Sequence, residues 1–410
     1  MRERAYAGIG RVVTWLKVGG ALLVLAFVLD LWQPLPTAQS NPQAPQYRVD
    51  PFWPKPLPST KDANGVARQW ITGSVGASCL DSRGHLITFN RAYETPLARP
   101  TDGGPLGPMS MPAPPVIEYD AQGNIVNSWG DPTLLPNGAP KTLPRGLHGC
   151  FVDYQDNIWI GGYQDGVVQK WTHDGKRMLL QIGQKGVCDG PSTLAPNTPH
   201  PTCGSPGNNS SKTLLNNPAD MYVDPNPDPV TGQRGSVYIA DGYGNHRVVV
   251  FDSEGKYLRQ WGSAGSAPGQ FVENGGGHPH CVTIGNDGLV YTCDRGNNRI
   301  QVFDKQGSLK RVIPIEPPEY MKQRVSGSAA NDFTFSRDKD QTLLFDTDLG
   351  SYVIWVLGRQ SGQVIGSIGR PGRMAGDFIL PHSIDMDASN NLYVAETGTG
   401  NRVQKFVPVK

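Results

Sequence analysis

One sequence unit recurs along this chain, and it restricts the possible fold more than any other feature. Residues 236–262 read SVYIADGYGNHRVVVFDSEGKYLRQWG, residues 289–309 read LVYTCDRGNNRIQVFDKQGSL, and residues 392–406 read LYVAETGTGNRVQKF. Each is a short apolar strand, a turn with Gly and Asn, and an Arg that begins a second strand. Where the chain continues, an Asp-x-x-Gly turn leads into a third. Short alternating strands with turn residues at this period predict a blade of antiparallel sheet. Another apolar strand precedes each unit and ends at a turn residue: Asp81, Asp153, Asp224, Gly285, Ser336 and Asp387, spaced by 72, 71, 61, 51 and 51 residues. One blade cannot bury both of its faces, so six such units predict an all-β, six-bladed β-propeller of four-stranded antiparallel blades. The last unit reaches Lys410 without an outermost strand, and the extended segment YRVDPFW, residues 47–53, is expected to supply it and close the ring. The fifth unit, near Ser326 to Leu357, matches the repeat least.

Composition agrees with this and removes alternatives. Gly (50) and Pro (36) are too abundant for a helix bundle, while 38% hydrophobic residues are too many for a disordered chain. Formal charge is +1, from 37 basic and 36 acidic residues, which leaves no electrostatic footprint for nucleic acid.

Residues 1–40 differ from the rest. Arg2, Arg4, Arg11 and Lys17 precede the apolar stretch Val18 to Leu29, and Pro34, Pro36, Ala38 and Ser40 follow it. That stretch is short for a membrane span and predicts a signal peptide cleaved near Ala38 or Ser40, or alternatively an uncleaved N-terminal anchor. Either way the propeller, residues 41–410, is expected to be exported to a secreted or periplasmic, oxidising compartment and to touch membrane only through the N-terminal segment. Of six cysteines, Cys188 and Cys203 bracket a Pro/Ser/Thr-rich insertion and are the expected disulfide. Cys79, Cys150, Cys281 and Cys293 lie in strand-like runs and are expected to be small buried hydrophobes. No CxxC occurs, so a thiolate zinc site has no support.

Innermost strands of a propeller line its channel, so equivalent positions in them approach one axis. Five residues before each turn anchor stand Gly76, His148, Ala219, His280, Asn331 and His382. Histidine occupies alternate units, and alternate blades of six lie roughly 120° apart, so three imidazoles should converge from three sides. That pattern predicts a three-histidine metal site with an open position, zinc first. His278 lies outside the register as a loop residue, and His85, His173, His200 and His246 read as turn or surface residues.

The turn DGYGNHR and the segments LHGCFVD, HPHCVTI and LPHSIDM resemble NHL-repeat propellers, specifically the peptidyl-alpha-hydroxyglycine alpha-amidating lyases, over roughly residues 70–410. The resemblance implies a zinc held by His148, His280 and His382. It implies an active-site tyrosine at Tyr243, within ADGYGNHR, and arginines at Arg91, within LITFNRAYE, and Arg295, within TCDRGNNR. Taken singly, Tyr243 also reads as a packing aromatic and Arg295 as an ion-pair partner of Asp294. The family's calcium-binding Asp after the third histidine is Ser383 here, which leaves a structural calcium open. A family half-cystine is Gly244, so the family's disulfides are not expected to transfer.

The resemblance therefore implies a peptidylamidoglycolate lyase-like carbon–nitrogen lyase. Such an enzyme would be a zinc-dependent monomer that splits a small-molecule or peptide alpha-hydroxyglycine into an amide and glyoxylate. The alternative is an exported propeller that binds a protein or polymer and keeps the histidines around a structural metal. A calcium-dependent lactonase-type propeller would need carboxylates and amides where the axial register carries histidine.

Overall fold

The structure, a computed structural model, describes residues 44–62, 64–92, 110–130, 143–193, 202–273, 278–316, 319 and 328–409. The expectations for residues 1–40 and for His200 lie outside these. Among the described residues, six four-stranded antiparallel sheets form the blades. Blade 1 has Val75–Leu80 innermost, then Leu86–Asn90, Val116–Tyr119 and Ile125–Trp129; blade 2 runs from Leu147–Val152 to Met178–Gly183. Blade 3 runs from Pro218–Asp224 to Tyr257–Trp261, blade 4 from Val282–Ile284 to Leu309–Pro314, and blade 5 from Asp332–Phe335 to Val364–Ile368. Blade 6 is built from Pro381–Met386, Leu392–Glu396 and Arg402–Pro408, and its outermost strand is Tyr47–Val49. All six predicted turn anchors directly follow or end an innermost strand.

Strand alternation sends successive side chains to opposite faces, so each blade contributes to two interfaces. In blade 3, Val237 and Ile239 pack with Trp159 and Ile182 of blade 2, whereas Tyr238 and Ala240 pack with Val282 and Val290 of blade 4. Phe333 and Trp355 of blade 5 meet Ile300 and Val302 of blade 4, while Phe345 and Ile354 meet Met386 and Val394 of blade 6. Blade 1 likewise buries Phe89 against Trp171 of blade 2 and Ile117 against Tyr393 of blade 6. The turns between strands are set by aspartates whose carboxylates accept backbone N–H bonds two and four residues on. Asp252, bonded to Glu254 N and Lys256 N at 2.9 and 2.8 Å, is one example, and Asp120, Asp304 and Asp387 repeat it.

One cysteine expectation is met and the other needs correction. Cys188–Cys203 is a disulfide, but so are Cys79–Cys150 and Cys281–Cys293. Cys79 and Cys150 stand on the neighbouring innermost strands of blades 1 and 2, 5.5 Å apart at Cα, although 71 residues separate them. Cys281 and Cys293 face each other across the first strand pair of blade 4. All four are buried as expected, and the ring supplies the neighbours that linear spacing hides. Three disulfides fit an oxidising, exported environment. Among the described residues no helix is long and apolar enough to cross a membrane.

Tyr47–Val49 pairs with Arg402–Pro408, with Tyr47 opposite Pro408 and Val49 opposite Phe406. Just beyond it, the Trp53 ring packs 5.6 Å from Tyr119 of blade 1 and 5.0 Å from Tyr393 of blade 6. The segment thus bridges the last blade and the first. A chain beginning at Ser59 should melt about 10 °C below one beginning at Asn41, because it loses the strand, the buried indole and the cover on an edge. Equal melting temperatures in differential scanning calorimetry would contradict this closure.

Candidate metal centre

Antiparallel pairing fixes which residues share a level. Leu147 pairs with Gly162, Pro218 with Asp241 and Pro381 with Glu396, so the residue after each second strand lies just beyond the level of the histidine register. Those residues are Arg91, Tyr163, Gly242, Arg295, Leu349 and Thr397, with Tyr243 one further on. The channel therefore has an axial layer of register residues and, beside it at one mouth, a layer drawn from the second strands.

In the axial layer His148, His280 and His382 are all buried, and their ligand atoms lie within 4.8 Å of one another. Ring centroids are 4.9, 4.6 and 5.1 Å apart, and the rings stand at 79–81° to one another. Each Nδ1 faces the equivalent residue of the next blade. His148 Nδ1 lies 2.6 Å from the Ala219 carbonyl and His280 Nδ1 2.6 Å from the Asn331 carbonyl. The Gly76 carbonyl acts on His382 in the same way, although the Nδ1 there falls outside ordinary hydrogen-bond geometry. A carbonyl can only accept, so Nδ1 carries the proton and Nε2 keeps its lone pair.

Burial holds all three imidazoles neutral: desolvation pushes His148 down to about 3, helped by Arg91 and Arg295. His280 and His382 are likewise held well below 6.5, first by burial and then by neighbouring positive charge. The Tyr243 hydroxyl sits 3.0 Å from Nε2 of both His148 and His280. A phenol has one hydrogen, so it satisfies only one of these two acceptors. Neutral imidazoles with converging lone pairs and too few protons fit a divalent cation.

The mouth layer is cationic and aromatic. Arg91 Nη2 donates to Ser74 Oγ at 2.9 Å and Thr397 Oγ1 at 2.6 Å, and its guanidinium lies over Tyr163, 5.7 Å from the centroid. Gly76 leaves room for it, since a Cβ there would stand 3.0 Å from Arg91 Nε and collide with the Leu147 carbonyl. Arg295 Nη1 donates to Asn331 Oδ1 at 3.0 Å, and its guanidinium lies 5.7 Å from the Tyr243 centroid. The carboxylate of Asp294 pairs with Arg299 at 2.7 Å.

All six sequence-derived residues are therefore brought to one end of the channel. Tyr163 was missed, although it packs 5.6 Å from His148 and 5.1 Å from Tyr243. Its signal was its place in the same register as Arg91 and Arg295. The other described histidines lie in turns or loops as expected, but His246 and His278 are buried, and His85 and His173 join a polar cluster between blades 1 and 2. Ser383 Oγ accepts the Ser78 N–H at 3.2 Å, so no carboxylate stands at that position. Any side chain at Gly244 would strike Asn216, which explains the absent half-cystine.

The comparisons agree with this picture at the family level. The NHL repeat model matches residues 277–303, within the blade 4 unit. NHL repeat-containing protein 3 of Homo sapiens is 26% identical over 88% of this chain and 84% of its own length. Peptidyl-alpha-hydroxyglycine alpha-amidating lyase 2 of Drosophila melanogaster is 26% identical over 86% of this chain and 78% of its own. Among solved structures, virginiamycin B lyase from Staphylococcus aureus aligns over 83% of this chain and 85% of its own with 14% identity and a TM-score of 0.43, too distant to bear on chemistry. The chain thus carries an NHL repeat within its propeller and is similar to NHL repeat-containing protein 3 and to an amidating lyase.

Two outcomes are expected. Replacing His280→Ala should lower the metal content by one equivalent, as read by elemental analysis, while circular dichroism stays unchanged. In metal-free protein the three depressed histidines make the unfolded chain the better proton acceptor below its pKa of ~6.5. Stability should then fall as pH drops from 7 toward 4, by ~1.4 kcal/mol per pH unit for each histidine. His148→Asn should flatten that slope by about one proton in pH-dependent urea titrations, and an unchanged slope would show that His148 is not held neutral.

Proposed function

We propose that this chain is an exported zinc-dependent lyase that cleaves an N-acyl- or peptidyl-alpha-hydroxyglycine to an amide and glyoxylate. The observation that carries the reading is one mouth at which three neutral imidazoles, one phenol and two guanidiniums meet. Likeness to the amidating lyases supports it. Zinc suits a donor set of three imidazoles without thiolate, held by His148, His280 and His382. When bound, it supplies Lewis-acid activation of the substrate hydroxyl.

The protein's own groups supply the rest. Arg91, held by Ser74 and Thr397, and Arg295, held in part by Asn331, place two planar guanidiniums at the mouth, where they suit the substrate carboxylate that leaves in glyoxylate. Tyr243, already within hydrogen-bond reach of two imidazoles, is the proton relay. It takes the hydroxyl proton as the carbon–oxygen bond becomes a carbonyl. It gives its own proton to the departing amide nitrogen as the carbon–nitrogen bond breaks, and no net proton is released. The substrate is a small molecule or peptide, and the chain acts on it as a monomer.

One observation favours a second reading. NHL repeat-containing protein 3, whose name carries no activity, matches most of this chain. On that reading the propeller binds a protein or polymer and the histidines hold a structural ion. Tyr243→Phe separates the two, because it keeps the ring and removes only the hydroxyl. The lyase reading expects unchanged fold and zinc content, with glyoxylate release from an N-acyl-alpha-hydroxyglycine falling roughly 10²–10⁴-fold. No glyoxylate from zinc-loaded parent protein across several acyl groups would leave the binding reading.

A further inference from the structure

A second convergence of metal-type donors lies away from the channel, where blade 1 meets blade 2. The turn after the first strand of blade 1 supplies Asp81 and His85, the third strand of that blade supplies Glu118, and a turn of blade 2 supplies His173. Both carboxylates are buried, with side chains 0% and 3% exposed, and the two imidazoles are about a fifth exposed, at 21% and 23%. His85 Nδ1 is 2.7 Å from Glu118 Oε1 and 3.8 Å from Asp81 Oδ2. His173 Nε2 is 3.1 Å from Glu118 Oε2 and 3.7 Å from Asp81 Oδ2. A tetrahedral shell with bonds of ~2.0–2.1 Å has edges of about 3.3 Å, so these separations already bracket those of a coordination sphere.

The groups behind the donors are arranged accordingly. His173 Nδ1 lies 3.0 Å from the Asp156 carbonyl, which keeps the proton there and turns the Nε2 lone pair into the cluster. Asp81 Oδ1 is occupied by the backbone N–H groups of Arg83 and His85, at 2.9 and 2.8 Å, which aims Oδ2 inward.

The present occupant is the Arg83 guanidinium, whose Nη2 is 2.6 Å from Asp81, 2.8 Å from Glu118 and 2.8 Å from His173 Nε2. That arrangement is frustrated. His173 Nε2 must accept to satisfy Arg83 and must donate to satisfy Glu118, and one ring nitrogen cannot do both. A metal ion in place of the guanidinium would let both imidazoles and both carboxylates act as acceptors together. Arg83 is free to leave, since its side chain is 54% exposed.

We propose that Asp81, Glu118, His85 and His173 form a second site for a zinc-like first-row divalent ion, which enters by displacing Arg83 and joins blades 1 and 2. Mixed imidazole and carboxylate donors suit such an ion better than calcium or magnesium. The site is independent of the axial histidines and of any lyase activity.

Titration of metal-free protein with zinc chloride alone, read by calorimetry and elemental analysis, tests it. The parent should take up two ions per chain. His280→Ala should keep one, and the double variant His85→Ala/His173→Ala should also keep one while retaining the axial ion. Arg83→Gln should bind the rim ion about tenfold more tightly, because no guanidinium has to be expelled. If the parent binds one ion, and that ion disappears with His280→Ala, the rim site does not exist. Failure of the axial site would look different: one ion that survives His280→Ala and is lost in the double variant, which would support the rim site. Weaker rim binding in Arg83→Gln would also overturn the proposal, since it would make Arg83 a structural member of the cluster.

Discussion

The axial chemistry depends on the packing between blades. Each blade is apolar on both faces, and only a closed ring gives every face a partner. The six clusters that result hold each innermost strand at a set distance from the axis. A register position in those strands then becomes a place in space, and residues 148, 280 and 382 meet although more than a hundred positions separate each from the next. The Nδ1 bonds extend the same logic, because each ligand is oriented by the backbone of the following blade. Loosening one interface would therefore turn an imidazole as well as expose apolar surface.

Within the blades, the repeat reflects a buried ion pair. Where the second strand ends in an acid and the third begins with Arg, the two are direct partners across the ladder: Asp241 with Arg247, Asp294 with Arg299 and Glu396 with Arg402. Burial pushes each of these acids up, and the arginine opposes that push. Such pairs add little net stability against apolar packing, but removing one member would strand a buried charge. Blade 5 departs from the pattern. Asp348 faces Val353 and instead accepts from Trp355 Nε1 at 2.9 Å. The fifth unit is hard to read in the sequence for that reason: its acid is retained while its cation is replaced by an indole.

What the sequence reveals depends on periodicity. The blades, the turn anchors and the three histidines repeat along the chain, and all were legible. The Cys79–Cys150 bridge was not, because it joins two innermost strands at non-equivalent steps of the repeat. The rim cluster was hidden for a similar reason: His173 belongs to a turn of blade 2 and meets blade 1 only through ring packing. Tyr163 lies between these cases. Its position repeats that of Arg91 and Arg295 relative to the turn anchors Asp153, Asp81 and Gly285, but the residue type does not.

The histidine layer also divides the channel electrically. On the mouth side stand Arg91 and Arg295. On the other side a cavity of about 280 Å³ runs along the innermost strands and is lined by Asp220, Asp332 and Asp385. Burial raises these carboxyls, Asp220 to about 7 and Asp385 to about 6, with Asp332 pushed further by its acidic neighbours. Arg337 lines the same cavity and offsets part of that acidity, whereas the opposite mouth carries two guanidiniums that attract an anion. A substrate carrying a carboxylate would thus be guided to the face where Tyr243 and the Nε2 lone pairs are exposed to it. On the proposed reading its hydroxyl, one carbon from the carboxylate, would then lie toward the axis.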